Sequence, residues 1–125
     1  MTEQKTILIA EDDRPLLKAA VTKFTNEGFT VLQAHDGREA LQMSLDKHPD
    51  LILLDILMPK MDGMTVCKKL REDEWGKNVP IIFLTNLNDV KQVTEATEEG
   101  VYDYLVKSDW HIDDVVKKVR EKLEM

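Results

Sequence analysis

Acidic side chains stand where short apolar runs end in this 125-residue chain: Glu11, Asp12 and Asp13 follow the first run, and Asp55 follows the third. Thr85 follows the fourth run and Lys107 the fifth. If these ends meet, three or four carboxylates, a hydroxyl and an ammonium share one rim. Carboxylates a few ångströms apart repel one another and call for a cation between them. A ligand set of oxygens alone suits Mg²⁺ or Mn²⁺ rather than Zn²⁺, and Mg²⁺ is commonly held by one or two carboxylates, waters and a phosphate. A carboxylate can also act as a nucleophile and form an aspartyl-phosphate. Asp55 is the candidate for that role, because it ends the most apolar run and stands alone. Lys107 would then pair with a phosphoryl oxygen, and Thr85 would donate a hydrogen bond to another. Each residue by itself has a plainer reading: acids after a strand cap helices, and an Asp at a strand end is usually a turn residue. The combination in this order is what points to chemistry.

The apolar runs cover residues 6–10, 30–34, 51–54, 81–84 and 104–106, and their Ile, Leu and Val content reads as strands buried on both faces. Amphipathic stretches separate them. Leu16, Leu17, Ala20, Val21 and Phe24 repeat at helical spacing within 15–27, with Pro15 in the first turn and Gly28 as a stop. Asp36 is placed to cap a helix over 37–47, with Ala40, Leu41 and Leu45 expected inward. A third helix is expected over 64–71, and a fourth over 90–99, capped by Asn88 or Asp89 and ended by Gly100. The last carries Ile112, Val115, Val116, Val119 and Leu123 on one stripe, with Asp113 and Asp114 at the positive end of its dipole. Strand and helix thus alternate five times, which implies a parallel sheet with helices on both faces. In such a sheet the binding crevice lies beyond the carboxyl ends of the strands, where the residues above stand.

Composition narrows the function. A net charge of −7 disfavours DNA or RNA as a direct partner and suits cation binding. One cysteine, Cys67, allows no internal disulfide and no Cys-rich zinc site, and points to a reducing, cytoplasmic compartment. Apolar runs of about four residues are too short to span a membrane. His35, His48 and His111 are scattered and suggest no chemistry.

Four segments carry a resemblance: Ile7-Leu8-Ile9-Ala10-Glu11-Asp12-Asp13, Leu53-Leu54-Asp55-Ile56-Leu57-Met58-Pro59-Lys60-Met61-Asp62-Gly63, Ile81-Ile82-Phe83-Leu84-Thr85 and Tyr102-Asp103-Tyr104-Leu105-Val106-Lys107. The chain resembles, along its whole length, the receiver domains of bacterial two-component response regulators. The resemblance implies one receiver domain over 1–125 with a flavodoxin-like, three-layer α/β fold, (βα)5, whose five-stranded parallel sheet has the order 2-1-3-4-5. It implies a signalling switch rather than a turnover enzyme, taking a phosphoryl group on Asp55 from a histidine kinase or histidine phosphotransfer protein. Asp12 and Asp55 would bind Mg²⁺ (or Mn²⁺) directly, Glu11 through water, and Leu57 through its backbone carbonyl. Thr85 and Tyr104 would form the switch pair, altering the face around the fourth helix, fifth strand and fifth helix for a downstream protein target. The protein would be a monomer or a weak phosphorylation-dependent dimer, with no DNA or membrane contact of its own.

The chain departs from the family's pattern at three positions. Asn86 follows Thr85 where Ala or Gly is usual, and a larger side chain there is expected to narrow access to the phosphoryl site. Ser108 replaces the proline after Lys107, which puts the family's cis bond in doubt, because a non-proline cis peptide costs roughly 2.5–4 kcal/mol. Glu11 replaces the more frequent Asp. Asn86 and Ser108 leave room for a receiver-like binding module that works without phosphorylation, whereas the change to Glu11 is a common and harmless variation. A hydrolase of the haloacid dehalogenase type would need a second acid two residues after Asp55, where Leu57 stands.

Overall fold

The computed structural model describes residues 4–85, 103–106 and 111–125, with Thr85, Asp103, Tyr104 and Val106 described by their backbone alone. The expected helix over 90–99 and its caps, Asn86, Lys107, Ser108 and the 107–108 bond lie outside the described residues. Along the chain run β1 (Thr6–Ala10), α1 (Arg14–Asn26), β2 (Thr30–Ala34), α2 (Gly37–Lys47), β3 (Leu51–Asp55) and α3 (Gly63–Arg71). A 3-10 turn, Gly76–Asn78, leads to β4 (Ile81–Thr85), and β5 (Asp103–Val106) and a C-terminal helix (Ile112–Lys122) complete the described part. All strand pairs are parallel, in the spatial order β2-β1-β3-β4-β5.

The sheet separates two apolar layers, because alternate side chains of a strand point to opposite faces. Leu8, Ala10, Ile52, Leu54, Ile81 and Phe83 pack with Ala40 of α2 and Val66, Cys67 and Leu70 of α3. On the other face Ile7, Ile9, Leu51, Leu53 and Ile82 meet Leu17, Ala20 and Phe24 of α1 and Val115, Val116 and Val119 of the C-terminal helix. The stripes expected on α1 and on the last helix are therefore the faces that pack, with Leu16 and Val21 at the margin.

Two expectations need correction. β2 is not buried on both faces: it lies at the sheet edge, and only Ala34 among its residues is fully buried. In α2, Leu45 is 36% exposed, while Gly37, Ala40 and Ser44 face inward. The helix is turned so that its small residues meet the sheet. Ser44 tolerates burial because its hydroxyl donates to the Ala40 carbonyl at 2.7 Å.

Three helices begin on an aspartate whose side chain accepts a backbone N–H, the usual answer to the unpaired donors of a first turn. Asp13 accepts from Leu16 at 3.1 Å, Asp36 from Glu39 at 2.8 Å and Asp62 from Thr65 at 2.8 Å. Pro15 lies in the first turn of α1, and α1 stops just before Gly28, where the Phe29 N–H returns to the Phe24 carbonyl at 3.0 Å. Trp75 stacks on His48 with ring centroids 4.3 Å apart, which gives that histidine a packing role.

Candidate metal centre

Strand register brings the acids together. Ala10 pairs with Leu54, so the residues that follow, Glu11 and Asp55, stand side by side at the strand ends. The Glu11 N–H donates to the Ala34 carbonyl at 3.1 Å and extends the β1–β2 ladder by one bond. The chain then turns, and Asp13 is spent on capping α1. Glu11, Asp12 and Asp55 each offer a carboxylate oxygen, all within 4.8 Å of one another. Glu11 is 1% and Asp55 2% exposed, whereas Asp12 faces solvent. The group therefore has a dry floor and a wet entrance.

The loop after β3 holds Asp55 from several directions. The Leu57 N–H donates to Asp55 Oδ1 at 3.2 Å and fixes the carboxylate plane. The Ile56 N–H reaches the Leu84 carbonyl at 3.2 Å, and the Gly63 N–H reaches the Ile56 carbonyl at 2.7 Å. α3 begins so close to β3 that a Cβ on Gly63 would collide with the Asp55 backbone carbonyl. Leu57 stands at the rim, 49% exposed. A hard divalent cation fits this donor set: three convergent carboxylates, with neither imidazole nor thiolate among them.

The other expected residues enter by backbone position only. Asp55 is level with Leu84, so Thr85 lies one step further along β4, and Thr85 itself pairs with Val106 of β5. Tyr104 pairs with Phe83. The side chains of Thr85 and Tyr104, and Lys107 altogether, are outside the described residues.

Sequence reasoning passed over one set of groups near the site. Lys60, in the loop after Asp55, has a left-handed backbone, φ 68°, and its ammonium lies 3.5 Å from Asp36 Oδ2. Gly37 packs against the same loop. The Asp36-Gly37 pair at the start of α2 was the visible signal, though read alone it spoke only of a helix cap.

The family model for the response regulator receiver domain matches residues 7–120. This chain belongs to that family. The response regulator MprA of Mycobacterium ulcerans is 35% identical to it over 117 residues, 94% of this chain and 49% of MprA. The chain spans less than half the length of the curated relatives it matches. Among solved structures, the receiver domain of a Francisella response regulator superposes with a TM-score of 0.87 at 31% identity, covering 97% of this chain and 98% of that one. The receiver domain of a Pseudomonas aeruginosa sensor histidine kinase, which has a magnesium ion coordinated in its active site cleft, gives 0.84 at 25% identity, covering 98% and 100%. The fold is therefore the flavodoxin-like α/β receiver fold, and Glu11, Asp12 and Asp55 form the acidic cluster typical of a receiver's magnesium site. Receiver domains are the phosphoacceptor modules of two-component systems and interact with histidine kinases and downstream targets. No helix among the described residues is long and apolar enough to cross a membrane.

Proposed function

We propose that this chain is the phosphoacceptor switch of a two-component phosphorelay, modified on Asp55. The observation that supports this most is the meeting of the Glu11, Asp12 and Asp55 carboxylates at the end of β1 and β3. In this reading an Asp55 oxygen forms a P–O bond to the phosphoryl group as the P–N bond to the donor's imidazole breaks. The released imidazole nitrogen takes up a proton. The donor is a histidine kinase or a histidine phosphotransfer protein. Bound Mg²⁺ (or Mn²⁺) would neutralise charge on the phosphoryl oxygens. Asp12, Asp55 and the Leu57 carbonyl would hold it directly, and Glu11 through water. Lys107 and Thr85 would take the remaining phosphoryl oxygens, and Thr85 with Tyr104 would carry the change to the face that meets a downstream protein.

The same reading makes the protein a switch and not a turnover enzyme. It also carries the five-unit (βα)5 arrangement, a single receiver domain over 1–125, a cytoplasmic setting, and a monomer or weak phosphorylation-dependent dimer without direct DNA contact. The test is incubation with Mg²⁺ and acetyl phosphate, read by intact mass. One added phosphoryl group is expected, absent from Asp55→Asn and from protein treated with a chelator. Unmodified wild-type protein under these conditions, and with a phosphorylated kinase, would instead favour a binding module that works without phosphorylation.

A further inference from the structure

The start of α2 lies against the loop that runs from Asp55 to Asp62, and three contacts join them. Gly37 sits so close to this loop that a Cβ there would collide with the Met61 backbone carbonyl. The Gly37 N–H points at the Pro59 carbonyl at 3.4 Å. The Lys60 ammonium lies 3.5 Å from Asp36 Oδ2, while Asp36 Oδ1 caps α2. Asp36 is largely covered, 13% exposed, whereas Lys60 is 64% exposed. Accepting the Glu39 N–H, and then the nearness of Lys60, hold the Asp36 carboxyl below the usual carboxylate range. Lys60 also keeps a left-handed backbone, φ 68°, a conformation that disfavours a side chain unless its surroundings hold it there.

The root of the loop is fixed separately, at Ile56, by Leu84 and Gly63. Leu57 lies between the fixed root and the contacts at 59–61. We infer that Asp36, Gly37 and Lys60 are positioning residues, a latch by which the start of α2 sets the backbone of the loop carrying Leu57. As far as it concerns metal affinity, the inference rests on the proposed magnesium site; the latch itself is independent of it.

Charge alone makes the opposite prediction for one variant, which gives the test its edge. If Lys60 acted only through space, Lys60→Met would remove a positive charge near the cation and tighten Mg²⁺ binding. If Lys60 latches the loop, the same change loosens the Leu57 carbonyl and weakens binding. Mg²⁺ affinity of the unphosphorylated full chain is measured by calorimetry, and amide exchange at Leu57 is followed without metal. An ion pair this exposed sets the size of the effect: about two- to fivefold weaker binding and faster Leu57 exchange in Lys60→Met and Asp36→Asn. Lys60→Arg restores both, and high salt abolishes the difference between Lys60→Met and wild type. Asn retains the helix cap, so Asp36→Asn reports on the pair and not on α2. Gly37→Ala, the more disruptive change, is expected to weaken Mg²⁺ binding by about tenfold. Its melting curve shows whether it remains folded, and the exposed Lys60 variants carry the test if it does not. Tighter Mg²⁺ binding by Lys60→Met, or affinity and exchange both equal to wild type, overturns the inference. If wild-type protein binds no Mg²⁺, the metal reading fails on its own. Faster Leu57 exchange in Lys60→Met and Asp36→Asn then still supports the latch, and unchanged exchange rejects it.

Discussion

Asp12 and Asp13 are neighbours with different employments. One carboxylate joins Glu11 and Asp55, and the next turns away to start a helix. What separates them is the end of β1, which aims Glu11 and Asp12 past the strand tips before the chain bends. This much was legible, because a strand end followed by acids has few places to put them. Lys60 was not, since neither its left-handed φ nor its partner 24 positions upstream leaves a trace in residue type. Thr85 and Lys107 were placed by resemblance and spacing; the Thr85 side chain and Lys107 lie outside the described residues. At the site itself, Gly63 leaves no room for a Cβ beside the Asp55 carbonyl. Gly63→Ala should therefore destabilise the fold by about 1–3 kcal/mol, as overpacking does. Urea unfolding measures that loss, and on the proposed function phosphorylation of the folded fraction should slow because Asp55 is displaced.

Among the elements, the apolar stripes of α1 and the C-terminal helix were read correctly, and α2 was read correctly at Ala40 but not at Leu45. The C-terminal helix places Val115, Val116 and Val119 against the sheet, as its spacing requires. In α2 Ala40 is buried as expected and Leu41 packs against the core, but Leu45 is exposed and the small Ser44 is buried instead, because a helix lying close to a sheet needs small side chains at the contact. Periodicity weighs how apolar a residue is and takes no account of how much space it finds. The structure thus makes a paired prediction in thermal or urea unfolding. Leu45→Ser should change stability by no more than about 0.5 kcal/mol, while Ala40→Leu should cost about 1–3 kcal/mol. A loss of about 1–3 kcal/mol in Leu45→Ser as well would return Leu45 to the inward position expected of it. The edge position of β2 was likewise invisible in its own residues; strand order decides it, and strand order came from the resemblance.

Across the whole molecule, α1 and the C-terminal helix are joined by charge as well as by their apolar faces. Lys23 lies 2.7 Å from Asp113 and 3.3 Å from Glu27, and Arg120 reaches the Glu27 carbonyl at 3.1 Å. The hydrogen bond from Lys23 holds the Asp113 carboxyl below its ordinary range, and Asp113, then Glu27, raise the Lys23 ammonium above its own. The signs give a pH window. The Asp113 contribution is complete above its unfolded value of about 3.9 and is lost as pH falls through the lower folded value. The Lys23 contribution is complete below about pH 10.4 and is lost as pH rises through the higher folded value. Melting temperature measured against pH should fall less steeply below about pH 4 in Asp113→Asn than in wild type. Because both partners are open to solvent, the difference should shrink in high salt.

β3 has β1 on one side and β4 on the other, and every one of its residues is buried. The Asp55 carboxylate, the proposed phosphoacceptor, therefore stands at the tip of a strand that is paired along both sides. On the proposed function, a strand anchored along both flanks has little room to retreat when bulk and charge are added at its tip. Accommodation would then fall to neighbours with a free side, which in the described sheet are the strands at its margins, β2 and β5. On that function, the effect of modification would pass sideways, away from the place where it was written.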